Sequence, residues 1–158
     1  MPAMTEYNLP YSIDAEQAVL GCLLMEPSML TEIQAKGFRT EYFYLPQHQT
    51  IYNAILQLES AGQPVDVILI VEKLKEQKVY DDAAARTYLA ELASQQPSTA
   101  GLLSYAKILR DKFYKRTLIS VSKEIEETAA NEEAEADVLL DSAEQKIYDI
   151  RQGKSTGE

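Results

Sequence analysis

From Leu102 to Ala130 the chain contains neither glycine nor proline. A run that long without a helix breaker predicts one continuous helix over 101–130. Residues 131–135, Asn-Glu-Glu-Ala-Glu, make a turn, and a second helix follows to about Arg151. Within it Ala136, Leu140, Ala143, Ile147 and Ile150 step by 4, 3, 4 and 3, a heptad seam. On the first arm Leu118, Val121, Ile125 and Thr128 step by 3, 4 and 3. Two such seams joined by a short turn read as an antiparallel helical hairpin. A hairpin of two helices cannot bury both of its faces, so something else must cover part of it.

The residues before the hairpin read as a helical head. Ser12 is placed to cap a helix, with Asp14 and Glu16 at the positive end of its dipole. Ile13, Gln17, Leu20 and Leu24 give that helix one apolar-leaning face. Pro27 marks a boundary before the segment starting at Ser28, which Gly37 ends. Pro46 fits a first helical position, and the pattern runs through Ile51, Ile55 and Leu58 to Gly62. Asp66 can cap a helix carrying Ile70, Val71 and Leu74. A further helix covers roughly 83–95, with Tyr88, Leu89 and Leu92 inward. Val65–Val71 has strand propensity, but Glu72–Glu76 continues it as helix, and no pair of alternating strands occurs. The expected fold is all-α: a flexible tail over 1–9, a head over 10–98, the hairpin over 99–152 and the start of a linker over 153–158.

Charge narrows the function. The chain carries 25 acidic against 15 basic residues, a formal −10, which repels phosphate backbones and argues against autonomous DNA binding. The imbalance is uneven along the hairpin. Lys107 to Lys123 holds six basic residues and one acid, Asp111, whereas Glu124 to Glu144 holds nine acids and no base. These are either solvated faces or a complementary pair, the acidic tip of one hairpin lying against the basic base of another. No apolar run reaches the ~20 residues that span a bilayer, and no basic-then-apolar signal pattern opens the chain. The lone Cys22, in the apolar run Val19–Met25, fits a buried thiol in a reducing cytoplasm.

Catalytic constellations are missing. Gly153-Lys154-Ser155-Thr156 spells the end of a phosphate-binding loop, but the glycine required five residues earlier is Tyr148, inside the heptad helix. His48 is the single histidine, without a metal-ligand set or a paired cysteine nearby in sequence. It reads as a hydrogen-bonded structural residue near the start of helix 46–60. The acids at Asp81-Asp82 and 132–137 lack calcium-loop spacing and read as helix-start and turn acids. Neither a cofactor nor a metal is expected in this chain.

The words of the sequence carry more. Pro10-Tyr-Ser-Ile-Asp-Ala-Glu-Gln-Ala-Val-Leu-Gly-Cys-Leu-Leu resembles the start of the N-terminal domain of DnaB-type bacterial replicative helicases. Phe43, His48, Ile51, Ala54 and Ile55, then Gly62-Gln-Pro-Val-Asp-Val-Ile, Tyr88-Leu-Ala-Glu-Leu and Pro97-Ser-Thr, resemble later blocks of that family in order. Tyr105-Ala-Lys-Ile-Leu-Arg-Asp-Lys, Leu118-Ile119 and Asp137-Val-Leu-Leu-Asp-Ser-Ala-Glu-Gln-Lys-Ile continue the likeness to about residue 150. The chain departs from the family pattern at Arg86-Thr87, Thr99-Ala-Gly and Lys115-Arg116-Thr117.

The resemblance implies a non-catalytic, cytoplasmic collar of a hexameric helicase, six copies forming a ring as three dimers. ATP and magnesium would then belong to a motor domain absent from this chain. It implies that a primase of the DnaG type, through its C-terminal region, docks at Asp14, Tyr88, Ile119 and Ile125. Leu118, Val121, Leu140, Ala143 and Ile147 form the oligomer and hairpin seam. Ile119 lies about 100° from Leu118 among Lys115, Arg116, Ser122 and Lys123, and is either packed or an exposed anchor. Ile125 lies on the seam, so support of the hairpin and direct contact are both open for it. The alternative is a free-standing helical adaptor or regulator related to the collar but without a motor.

Overall fold

The computed structural model describes residues 9–77 and 81–153. Each helix of the head starts where local chemistry lets it. The Ser12 hydroxyl accepts from the Ala15 amide at 3.1 Å and opens α1 (Ile13–Met25). A 3-10 turn at Pro27–Met29 leads into the short α2 (Leu30–Ala35). Gly37, in the left-handed region that favours glycine, turns the chain out of it. A second 3-10 turn, Thr40–Tyr42, precedes α3 (Pro46–Ser60), where Pro46 takes the first position. Asp66 caps α4 (Val67–Glu76) through the Leu69 amide at 2.8 Å. Asp81 caps α5 (Asp82–Gln95) through the Ala84 amide at 3.2 Å. With Asp66 as its cap, Val67–Glu76 is helical as expected despite the strand propensity of Val65–Val71. All regular elements among the described residues are helical.

The described residues group into two compact units, 11–111 and, separately, 112–153 with Leu9 and Pro10. In the first unit α1 packs on α5, and α4 packs on both α3 and α5. Val19, Leu20 and Leu23 of α1, Ile51, Ile55 and Leu58 of α3, and Leu89 of α5 have at most 1% of their surface exposed. Each such side chain contributes roughly 1.5–3 kcal/mol relative to an exposed one. Phe38 stands edge-on to Tyr42, Phe43 and Tyr52 at centroid distances of 5.1 Å, 5.5 Å and 5.4 Å. That is an arrangement ring quadrupoles favour. At Gly21 α1 lies close against α5. A Cβ there would lie 2.6 Å from the Leu92 carbonyl oxygen. The start of the long α6 (Leu102–Ala129) belongs to this unit, burying Leu102, Ala106 and Leu109.

The second unit contains the rest of α6 and α7 (Ala136–Arg151), joined through a turn at 130–135 as an antiparallel hairpin. Arg116 Nη1 donates to the Pro10 carbonyl at 2.9 Å. Its guanidinium lies 5.8 Å from the Phe113 ring centre, within the range of a cation–π contact. Of the expected α7 seam, Ala143 and Ile150 are covered and Ala136, Leu140 and Ile147 are exposed. The covered positions of α7 are Leu139, Ala143, Lys146, Asp149 and Ile150, whereas Leu140 and Ile147 are 61% and 49% exposed. On α6, Val121 is 1% exposed but Leu118 is 43% exposed. The apolar stripe of α7, from Leu139 and Leu140 to Ile147 and Ile150, is wider than the strip that a two-helix hairpin covers, so one edge stays outside. Of Gly153-Lys-Ser-Thr, Lys154 to Thr156 lie outside the described residues.

Candidate functional site

A buried polar chain crosses the head. Glu16, one turn into α1, has no exposed surface, and neither has His48 near the start of α3. The Glu16 carboxylate accepts from the Tyr44 amide at 2.5 Å and from the Leu45 amide at 3.4 Å. It also lies 2.6 Å from His48 Nδ1. On the other side of the ring, His48 Nε2 lies 2.6 Å from the hydroxyl of Tyr88 on α5, and the two rings stack at 5.9 Å with 5° between their planes. Gln17 Nε2 donates to the same hydroxyl at 3.2 Å. With Nδ1–H donating to Glu16, Nε2 accepts the Tyr88 proton, and every member has a partner. Burial pushes the Tyr88 hydroxyl above its usual pKa, the Gln17 hydrogen bond opposes this, and the Glu16 charge adds to it.

This arrangement is a staple. It ties α1, α3 and α5 together, and Glu16 supplies acceptors just before α3, whose own cap residue Leu45 has no side chain to offer. Among the described residues, no group of three or more His, Cys, Asp or Glu side chains could hold a metal ion. Cys22 has no exposed surface, its Sγ lies 3.7 Å from the Ser98 carbonyl, and burial raises its pKa. No helix among the described residues is long and apolar enough to cross a membrane.

The four residues expected to meet a primase are placed as follows. Asp14 is exposed in the first turn of α1 and, with Gln17, Ala18, Leu92, Gln95 and Gln96, lines a hollow of about 160 Å³. Tyr88 is half-buried, and its link to Gln17 puts it beside the helical turn that carries Asp14. Ile119 and Ile125 are both half-buried in the second unit. Ile119 is thus neither a fully exposed anchor nor a core residue. Of the seam residues, Val121 is buried, Ala143 half-covered, and Leu118, Leu140 and Ile147 exposed, as is Val138 at 60%. The sequence reading missed Glu16 as a buried group, since a first-turn acid reads as solvent-facing.

A helical head stapled by a buried polar chain, followed in the sequence by a helical hairpin, defines an all-α domain. The chain belongs to the family of DnaB-like helicase N terminal domains, which it matches over residues 8–111. It is 36% identical over 148 residues to the replicative DNA helicase DnaB of Geobacillus stearothermophilus. It is 35% identical over 147 residues to the replicative DNA helicase DnaC of Bacillus subtilis. These matches cover 94% and 93% of this chain but 32% of each relative, so the chain spans about a third of their length. The fold is similar to the N-terminal domain of DnaB helicase from Mycobacterium tuberculosis. The TM-score is 0.80 at 29% identity, covering 90% of this chain and 99% of that one. It also resembles part of a DnaB-like replicative helicase described with its interactions with primase. There the TM-score is 0.69 at 26% identity, covering 91% of this chain and 32% of that one.

Proposed function

We propose that this chain is the non-catalytic collar portion of a cytoplasmic replicative DNA helicase: it assembles with copies of itself and docks a primase. The observation that carries the reading is the exposed apolar edge of the hairpin. Leu118, Leu140 and Ile147 are between 43% and 61% exposed, and Leu140 and Ile147, seven residues apart, share one face of α7. Apolar surface left in one copy is an association surface when a second copy covers it. Membership in the helicase N-terminal family supports the primase partner, as does the likeness to a helicase described with primase.

Sedimentation over a range of concentrations tests the assembly. The parent should associate in the tens of micromolar or below, and Leu140→Asp should weaken association on the order of tenfold or more while leaving a folded monomer. A single monomeric species at every concentration, unchanged by Leu140→Asp, would refute the reading.

A further inference from the structure

Leu103, Ala106, Lys107 and Arg110 recur at i, i+3, i+4 and i+7 on α6 and so share one face. Together with Phe38 and Tyr42 they bound an open cavity of about 510 Å³ in the head. Its walls are apolar and aromatic, with Leu103 40% exposed. Its rim is cationic: Lys36, Lys107 and Arg110 all line it, on a chain of net charge −10. Lys107 and Arg110 each pair with Asp111, at 2.9 Å and 3.4 Å. On exposed surface such pairs exchange readily for other carboxylates. An apolar hollow with a basic rim fits an apolar side chain flanked by acids.

The chain itself carries that complement. Asp137, Leu140, Asp141 and Glu144 fall within two turns on one face of α7, and all four are exposed. Leu140 is 61% exposed. From Glu124 to Glu144 no basic residue dilutes the charge.

We infer that the groove between α6 and the Phe38–Tyr42 segment receives the acidic first half of α7 from a second copy of this chain. Leu140 enters the hollow against Phe38 and Leu103, and Asp137, Asp141 and Glu144 face the lysine and arginine rim. The apolar contact holds the helix, and the charges set which face docks and suppress other registers. This rests on the self-association reading above and assigns it a particular contact.

A charge swap tests it. The groove variant is Lys36→Glu with Lys107→Glu, and the helix variant is Asp141→Lys with Glu144→Lys. All four positions are exposed, so both variants should keep the parent's helix content by circular dichroism. Each variant alone should self-associate about tenfold or more weakly than the parent at ~0.1 M salt, and an equimolar mixture should recover association by placing unlike charges together. Parent-like association of either variant, or no recovery on mixing, overturns the contact while leaving self-association standing. A parent that never associates overturns both, and its own sedimentation shows that directly. If the groove variant loses primase binding but associates like the parent, the occupant is a segment of primase and the proposal is wrong.

Discussion

The Glu16 carboxylate and the His48 imidazole meet at 2.6 Å with neither side chain exposed, although 32 residues separate them along the chain. The pair has its remaining valences filled, by the Tyr44 amide on one side and the Tyr88 hydroxyl on the other. Removing one member strands the others without water to replace it. Glu16→Ala leaves two backbone amides and a ring nitrogen without their acceptor and should cost about 3–5 kcal/mol. Glu16→Gln retains an acceptor oxygen and should cost less. Urea unfolding followed by circular dichroism reads both, and a loss under ~1 kcal/mol for Glu16→Ala would mean that the staple is dispensable.

Alkaline stability follows from the buried tyrosines. Burial raises the Tyr52 hydroxyl from 10.0 to about 12, and raises Tyr88 in the same direction. The unfolded chain then loses these protons at lower pH than the folded one. The stabilisation is complete below pH 10 and is lost as pH climbs through the folded values. For Tyr52 the slope is about 1.4 kcal/mol per pH unit between 10 and about 12. Urea midpoints should therefore fall steeply above pH 10. Tyr52→Phe, though less stable at neutral pH by some packing loss, should show a shallower decline. An equally steep decline in Tyr52→Phe would locate the effect elsewhere.

Gly21 poses a cleaner packing test. Alanine is ordinarily better than glycine inside a helix by about 1 kcal/mol. Here the added methyl meets the Leu92 carbonyl oxygen at 2.6 Å and Gln96 Cβ at 3.0 Å, so α1 and α5 must separate. The clash outweighs the propensity, and Gly21→Ala should destabilise the head by about 1–3 kcal/mol. A raised melting temperature would show that the two helices part without penalty.

How far the sequence announces this molecule depends on the range of the interaction. Ser12 and Asp66 act within three residues, and both caps are where the pattern puts them. The run without glycine or proline after Gly101 gives α6, and Pro46 and Gly37 mark helix ends for reasons of backbone alone. His48 reads as structural because it lacks neighbours with which to do chemistry. Its partner Glu16 is not legible, because a first-turn acid satisfies the helix dipole equally well in water. Only the fold brings Tyr44 and His48 to it. Which α7 residues the hairpin itself covers is illegible for a related reason. Leu139 and Leu140 are adjacent, and periodicity does not say which one the hairpin covers. Nor does it reveal the groove, since Phe38 and Tyr42 look like ordinary core aromatics until α6 is laid beside them.

Ile119 carries the last prediction. It is half-buried, with Lys115, Ser122 and Lys123 exposed around it, so part of an apolar side chain is available at a polar surface. If a primase covers it, as proposed, the newly buried part contributes on the order of 1–2 kcal/mol. Ile119→Ala should then weaken primase binding about five- to thirty-fold, measured by titration calorimetry, with self-association unchanged. Val121, two positions along the same helix and 1% exposed, is the folding control. Val121→Ala removes two buried methyls and should lower the thermal midpoint, with primase binding affected only through that loss. Should Ile119→Ala bind primase like the parent, or lower the midpoint as far as Val121→Ala does, the side chain is packing and the primase surface lies elsewhere.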